Sequence, residues 1–280
     1  MTAIRLRPVA PAAWLVLPLL ILVLIGFDLP LLGVVWKSLF DGRGAFSLDA
    51  YYTIVDAPVY ARVMGNTFRI AVISTLCCAL LGYPLAYWLR GLSRRWQMVG
   101  LAAIVIPFWI SILVRTYAWI VILGNAGIVN RSLLALGWTS SPISFLYNEL
   151  GVMIGTINVL LPFLVLPLFA AMMKIDDSLL QAAETLGASR WAVFWKVFFP
   201  LSLPALLAGA ILVFILTLGF YITPAILGGG RVPMIANMLD LLINEMPNWE
   251  LASTISVVLL VATLALFVVY LRITRDERQA

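Results

Sequence analysis

Gln181–Pro200, with the sequence QAAETLGASRWAVFWKVFFP, is a polar and aromatic stretch that lies between two long apolar runs. Its pattern predicts two short helices broken at Gly187, because glycine readily adopts the left-handed conformation in which many helices end. Just before it, Ser178 and Gln181 have the S-x-x-Q spacing of a capping box, which predicts the start of the first helix. The stretch is therefore expected to be a folded insert between two apolar segments.

The ends of the two predicted helices carry further signals. Asp176 and Asp177 place negative charge at the N-terminus of the first helix, where it is favourable. Ser189 is positioned to cap the second helix, and Pro200 is expected to close that helix before the next apolar run begins.

Composition indicates a membrane protein. The chain has 280 residues, of which 63% are hydrophobic and 11% charged, and its mean hydropathy is +1.06. Water-soluble domains carry about 25% charged residues. The formal charge of +5 is scattered through short loops, which favours a role in membrane topology over nucleic-acid binding.

The residue inventory excludes most kinds of catalysis. The chain has no histidine, which removes imidazole general acid–base chemistry, imidazole metal sites and Ser-His-Asp chemistry. Its two cysteines, Cys77 and Cys78, are adjacent in an apolar run and are typical of small core residues. No P-loop motif occurs, so ATP would have to be hydrolysed by another subunit. We predict no enzyme activity, catalytic residue, metal site or cofactor.

The sequence predicts an all-α polytopic membrane protein with six transmembrane helices. A helix needs about 20 apolar residues to cross the hydrocarbon core, and six uncharged runs reach about that length. The first run follows two arginines as a signal peptide would, but it is too long and lacks a nearby cleavage site, which predicts a retained helix. We predict a single transmembrane domain over 1–280, with a loop at 174–200. The predicted helices are 12–36, 67–89, 96–122, 149–173, 201–227 and 251–271.

Basic residues are denser in the loops on one side of the predicted membrane. Cytoplasmic loops carry an excess of Lys and Arg, so the richer side is expected to be cytoplasmic. This places both termini and the 174–200 loop in the cytoplasm. The basic residues of the inner segments are Arg5, Arg7, Arg90, Arg94, Arg95, Lys174, Arg190, Lys196, Arg272, Arg275 and Arg278.

The insert resembles the cytoplasmic coupling loop of ABC-importer permeases. The signature of that loop is E-A-A, three residues, G, and then I-x-L-P ending at a proline. Without the signature, the stretch would be interpreted as an ordinary amphipathic connector. Four residues fall in register: Ala182, Ala183, Gly187 and Pro200. Three positions depart from it, with Gln181, Val197 and Phe199 standing where the family has Glu, Ile and Leu.

Three further stretches are similar to permeases of spermidine/putrescine-type importers, a group that also includes permeases for opines, amino-acid-like solutes and phosphonates. They are Phe46–Leu89, Ile106–Asn130 with its PFW and VRTYAW elements, and Leu218–Leu239. The resemblance implies the type I ABC-importer permease fold, with six helices and a cytoplasmic coupling loop, in a bacterial inner membrane.

The resemblance also implies partners that this chain does not supply. They are a second homologous permease, a dimer of ATPase subunits and an extracytoplasmic solute-binding protein, all working in membrane lipid. The implied mechanism is alternating access: ATP closes the ATPase dimer, the coupling helices move together, and the bundle opens outward. Hydrolysis then resets it to the inward-open state.

The resemblance assigns contact with the ATPase to the coupling loop. Ala182 and Ala183 would be small so that an ATPase groove closes over the helix, and Gly187 would set the bend between the two arms. We interpret Gln181 as the capping partner of the preceding serine and Glu184 as the charged contact. The predicted coupling residues are Gln181, Ala182, Ala183, Glu184, Gly187 and Ala188.

The predicted solute pathway lies where proline interrupts the PFW and FYITP elements. Aromatic faces attract an ammonium group by about 0.5–2 kcal/mol, although such side chains are equally typical of helix packing. The candidate residues are Trp109, Phe220, Tyr221 and Thr223. No obvious carboxylate lies at the midplane of these helices. Three ionisable residues in or near apolar runs are functional candidates by position, with extension to the interface as the alternative: Asp28, Arg69 and Arg115.

The predicted function is that of the permease subunit of an ATP-driven importer for a small, cationic, polyamine-like solute. An opine, an amino-acid-like solute or a phosphonate is the alternative within the same class. An ion-coupled secondary transporter is the alternative from another class. Neighbouring genes for an ATPase and a secreted binding protein would favour the importer.

Overall fold

The computed structural model describes residues 10–276, with side-chain surroundings for residues 16–268. The basic termini that were predicted to be cytoplasmic lie largely outside these described residues. The described chain is built from α-helices α1 Ala10–Val23, α2 Leu29–Leu39, α3 Asp49–Asp56, α4 Pro58–Arg90, α5 Arg94–Val105, α6 Ile112–Leu123, α7 Ile128–Ala135, α8 Glu149–Met172, α9 Asp177–Thr185, α10 Arg190–Val193, α11 Phe199–Leu218, α12 Ile222–Gly228, α13 Ile235–Asp240 and α14 Trp249–Asp276.

Within the described residues, six helical segments are long and apolar enough to cross a membrane. This number matches the six helices expected from the uncharged runs. The segments are Val16–Leu39, Pro58–Arg90, Ile112–Ala135, Glu149–Met172, Arg190–Leu218 and Trp249–Val268.

The third predicted helix differs from the structure. The sequence predicts a helix over 96–122 that proline interrupts at the PFW element, and in the structure α5 ends at Val105 and a 3₁₀ turn follows at Ile106–Trp109. Ile110 is extended, with a ψ of 133°. Pro107 has no N–H to donate and its ring disfavours a continuing α-helix, which explains the break. The segment that qualifies as the third span is Ile112–Ala135.

The fifth predicted helix, 201–227, is also divided. The α11 helix ends at Leu218, the chain turns at 219–221, and α12 begins at Ile222. Pro224 cannot donate to the carbonyl of Phe220 four residues before it, and its ring would clash with that carbonyl in a continuous helix. The FYITP element is therefore a helix break, as its proline suggested.

Pro200 was expected to end the second short helix of the insert, and this expectation is wrong. The chain is helical from α10 into α11 through a π-helical turn, Phe194–Phe198. The N–H of Phe199 donates to a carbonyl five residues back, so the wider turn accommodates the proline that follows. A second π-helical turn, Leu24–Asp28, precedes Pro30 in the same way.

The described chain forms two compact units. Among the described residues, the larger contains 59–240 together with 263–276. Its core is centred on α8, where Leu164 is fully buried. A Cβ on Gly82 of α4 would lie 2.7 Å from Leu164 Cδ2, and one on Gly209 of α11 would lie 3.4 Å from Leu164 Cγ. Small residues thus let two helices approach α8 closely, as is common in membrane bundles.

The smaller unit contains, of the described residues, 10–58 together with 241–262. Trp36 stacks on Phe40 with ring centroids 3.8 Å apart, and the ammonium group of Lys37 lies 4.9 Å from the ring centroid of Trp249. Aromatic and basic side chains of this kind are typical of the ends of membrane spans.

Candidate functional site

The first arm of the insert is α9, which begins at a different cap from the one predicted. Asp176 is the N-cap, and its carboxylate accepts a hydrogen bond from the Ser178 N–H at 2.9 Å. Ser178 therefore lies inside the helix, and Gln181 is too far along it to close a capping box. The capping-box prediction is wrong because Asp, a strong N-cap residue, takes the position two residues earlier. The hydrogen bonds from Ser178 lower the pKa of the Asp176 carboxyl.

The first arm ends at Gly187, as predicted. Gly187 has a φ of +87°, in the left-handed region. Its N–H donates to the Glu184 carbonyl at 2.9 Å, and the Ala188 N–H donates to the Ala183 carbonyl at 3.1 Å. These two bonds form a Schellman motif, which satisfies carbonyls that the helix end would otherwise leave unpaired.

The second arm is capped as the sequence predicted. The Ser189 side chain accepts from the Ala192 N–H at 3.3 Å, and α10 follows at once. The π-helical turn beneath it places Phe194 among aromatic rings of α4, with its centroid 5.2 Å from Tyr87 and 6.2 Å from Tyr83. The second arm is thus packed on the C-terminal end of α4.

One face of α9 is left open. Leu179, Ala182 and Leu186 follow one another at helical spacing and are all exposed, with Leu186 88% exposed. Glu184 is also exposed, whereas Ala183 on the same helix is half-buried. The arrangement offers a partly apolar helix face with small residues and the exposed Glu184 carboxylate. Such a face is suited to docking in the groove of another protein.

Arg90, the last residue of α4, joins the insert to the bundle. Its Nε donates to the Met172 carbonyl at 3.0 Å and its Nη2 donates to the Ile175 carbonyl at 3.2 Å. The same Nη2 forms an ion pair with Asp177 Oδ1 at 2.5 Å. The guanidinium carbon lies 5.0 Å from the ring centroid of Phe198. Sequence reasoning counted Arg90 only as a cytoplasmic charge, because its partners lie far along the chain.

The PFW element presents Trp109 on the 3₁₀ turn, with 88% of its surface exposed. Phe108 beside it packs edge-on against Phe163 of α8, with ring centroids 5.1 Å apart. Arg115 donates to the carbonyls of Pro107 and Ile110 at 2.5 and 3.1 Å. This guanidinium thus supplies hydrogen bonds to two backbone carbonyls at the helix break.

The FYITP element places Tyr221 at the N-cap of α12 and Thr223 in the first turn of that helix. The Tyr221 hydroxyl donates to Asp240 Oδ2 at 2.8 Å, and the Asn237 amide donates to the Tyr221 carbonyl at 3.3 Å. Thr223 is 1% exposed, and its hydroxyl lies 3.5 Å from that of Thr116 on α6. Thr223 is therefore a packing residue in this chain.

Phe220 is half-buried at the helix break itself. Asp240 is a carboxylate that sequence reasoning missed, because it lies nineteen residues beyond Tyr221 in a stretch assigned to a loop. The 20 residues of α11 separate the insert from this break, which corresponds to about 30 Å along the helix axis. The coupling candidates are thus gathered in one insert, and the pathway candidates lie on separate breaks at a distance from it.

Two other ionisable candidates have different surroundings. Arg69 of α4 forms an ion pair with Glu149 at the start of α8, with both side chains partly exposed. Asp28 lies in the π-helical turn of the first span and is half-buried. The ion pair gives Arg69 a structural partner within this chain.

The arrangement is that of a polytopic membrane protein whose spans carry a helical insert open for docking. Residues 79–276 match the family described as "Binding-protein-dependent transport system inner membrane component". A relative from Haemophilus influenzae, "Spermidine/putrescine transport system permease protein PotB", is 37% identical over 79% of this chain and 77% of its own. The chain therefore belongs to this family of ABC-importer permeases.

Two further similarities complete the comparison. "Putative 2-aminoethylphosphonate transport system permease protein PhnU" of Salmonella typhimurium is 32% identical over 96% of this chain and 93% of its own. The structure of a bacterial alginate ABC transporter, in complex with alginate pentasaccharide-bound periplasmic protein, contains a chain with a TM-score of 0.77 and 18% identity. The match covers 96% of this chain and 95% of that one.

These similarities confirm several predictions. The all-α, six-helix type I permease fold is confirmed, as is the resemblance to the spermidine/putrescine-type family. The chain is a multi-pass inner-membrane transport component, and its family consists of transport permeases and not of enzymes.

Proposed function

We propose that the chain is the permease subunit of an ATP-driven importer that moves a small, cationic, polyamine-like solute into the cytoplasm. The observation that carries the proposal is the 37% identity with a permease named for spermidine and putrescine, over most of both chains. The whole chain, 1–280, acts as one transmembrane permease domain, with the coupling loop at 174–200.

The exposed face of α9 docks in a groove of the ATPase. The residues that couple the insert to the ATPase are Gln181, Ala182, Ala183, Glu184, Gly187 and Ala188. Within this set, Gly187 sets the bend between the two arms. The Schellman motif at Gly187 and the Ser189 cap support this role, because they fix the angle between the two arms. The insert and both termini face the cytoplasm, as the distribution of basic residues favours.

The remaining partners are a second homologous permease, a dimer of ATPase subunits and an extracytoplasmic solute-binding protein. The family description, which names binding-protein-dependent transport, supports the last of these. The alginate transporter, which has the same fold, is in complex with a periplasmic protein.

Trp109 and Tyr221 line the solute pathway, and Phe220 lies at the helix break. Thr223 packs α12 against α6 and α8. Exposed aromatic faces attract ammonium groups. The hydrogen bond between the Tyr221 hydroxyl and Asp240 supports a cationic solute, because it places a carboxylate beside an aromatic candidate.

The test is uptake into vesicles that contain this chain, its permease partner and the ATPase, with the binding protein added outside. Labelled spermidine and putrescine should enter with ATP and should compete with each other. An absence of ATP-dependent uptake of either amine would overturn the assignment of solute class.

A phosphonate is the second candidate, because PhnU is similar to nearly the whole chain. In the same vesicles, 2-aminoethylphosphonate provides the alternative substrate. Uptake of this compound without uptake of either polyamine would move the chain to the phosphonate group of importers.

A further inference from the structure

Arg90 occupies a position from which one side chain reaches both arms of the insert. Asp177, in the first turn of α9, receives its ion pair, and Phe198, in the π-helical turn of the second arm, lies against its guanidinium plane. The Arg90 side chain is 17% exposed and Phe198 is 1% exposed, so this contact is largely withdrawn from water.

The same guanidinium also closes the end of α8. Met172 is the last residue of that helix, and its carbonyl accepts from Arg90 Nε while the Ile175 carbonyl accepts from Nη2. Carbonyls at a helix end lack intrahelical partners. A planar guanidinium with several fixed donors can bond such a carbonyl, a second carbonyl in the turn that follows and a carboxylate at once. Lysine has a single ammonium group and cannot reproduce this planar, forked arrangement of N–H donors.

We propose that Arg90 is the positioning residue that clamps both arms of the insert to α4, so that movement of the insert by the ATPase is transmitted to the membrane helices. The inference rests on the proposed function and extends it to a residue outside the coupling loop. Energetic coupling between distant sites can be carried by packed side chains, hydrogen bonds and ion pairs between rigid elements. Arg90 joins α4, α8, α9 and the π-helical turn through direct contacts of these kinds.

The experiment uses the complete complex with its binding protein and compares Arg90→Gln with the wild-type chain. We expect Arg90→Gln to keep normal membrane abundance, ATPase co-purification and basal hydrolysis. Solute-stimulated hydrolysis and uptake should fall about tenfold, within the range of typical coupling energies. A residue needed only for folding would instead lower abundance and co-purification together with uptake.

Three matched variants sharpen the measurement. Arg95→Gln removes an exposed charge from the first turn of α5, five residues after Arg90, and should leave uptake unchanged. Arg90→Lys keeps the charge but loses the fork, and it should fall between the wild-type chain and Arg90→Gln. Asp177→Asn removes only the ion pair to a carboxylate whose side chain is 73% exposed. Solute-stimulated hydrolysis and uptake should therefore fall less in this variant than in Arg90→Gln.

Two results would overturn the inference. One is wild-type stimulated hydrolysis in Arg90→Gln. The other is loss of ATPase co-purification in parallel with uptake, which would make Arg90 part of the docking surface or of the fold. Failure of the proposed function is distinguishable, because then the wild-type complex itself would show no solute-stimulated hydrolysis.

Discussion

Gly187 is constrained by its backbone conformation and not by its surroundings. Its φ of +87° is unfavourable for residues with a side chain, while a Cβ at this position would meet no atom within 4 Å. Open space around a glycine with positive φ means that substitutions are penalised by the backbone alone. The bend between the two arms of the insert therefore depends on one torsion angle.

Gly187→Val should uncouple transport without preventing insertion. The left-handed conformation costs a residue with a Cβ about 1–2 kcal/mol, and more for a β-branched one, so the bend would be strained or lost. The expected result is normal membrane abundance with poor solute-stimulated hydrolysis. Gly187→Asn is the matched control, because asparagine tolerates this conformation. Equal uptake by the valine and asparagine variants would show that the torsion angle has no role in coupling.

Glu184 and Gln181 should contribute unequally to docking. Both are exposed on α9, but only Glu184 is charged, and the other acid of this helix, Asp177, is paired with Arg90. We expect Glu184→Ala to reduce co-purification of the ATPase more than Gln181→Ala does. Gln181→Glu should be nearly silent, since an exposed ion pair contributes about 0–1 kcal/mol. Release of the ATPase by Gln181→Ala alone would make Gln181 the contact.

At the scale of helices, α8 and α12 meet at a glycine. A Cβ on Gly155 would lie 2.4 Å from Thr223 Cγ2 and 2.5 Å from Leu227 Cδ1. Gly151 and Gly155 of α8 form a G-x-x-x-G step, a pattern typical of close helix packing in membranes. Thr223 is one of the two contacts, which explains its burial.

Gly155→Ala should destabilise the protein by about 1–3 kcal/mol through overpacking. The control is Gly65→Ala in α4, where an added Cβ would meet no atom within 4 Å. Alanine in a helix interior is favoured over glycine by about 0.5–1 kcal/mol, so Gly65→Ala should be neutral or stabilising. Thermal unfolding of the purified complex in detergent measures both. A fall in Tm for the control that equals the fall for Gly155→Ala would contradict this assignment.

The local structure of the insert was predicted better from the sequence than its contacts with distant parts of the chain. The Gly187 bend and the Ser189 cap depend on neighbouring residues, and both were predicted from the sequence. The N-cap at Asp176 was missed because two adjacent signals predicted the same helix start. The Ser178–Gln181 spacing was interpreted as the cap, and Asp176 only as a favourable charge. Arg90 and Asp177 are 87 residues apart, and no local pattern links them. The predicted helix bounds ran across the breaks at the PFW and FYITP elements, because a count of apolar residues does not register where a proline interrupts the backbone.

For the whole molecule, the predicted orientation can be tested in intact cells. Single cysteines would be introduced in a background in which Cys77 and Cys78 are replaced by alanine. Cysteines at Ser93 and Ser189 should be shielded from an impermeant thiol reagent, whereas one at Asp41 should be labelled. Permeabilised cells provide the control, since all three positions are then accessible. Labelling at Ser189 from outside would reverse the orientation and remove the coupling role.

The π-helical turn Phe194–Phe198 has a consequence for the direction in which α10 faces. Each residue of an α-helix rotates the side-chain direction by about 100° about the helix axis. Because a π turn holds one residue more than an α turn, α10 is rotated relative to α11 by about that angle compared with an uninterrupted helix. Deletion of Val197 alone would change composition very little, yet it would swing α10 by more than a quarter turn. The rotational phase of the second arm is thus encoded in the number of residues between Ser189 and Pro200.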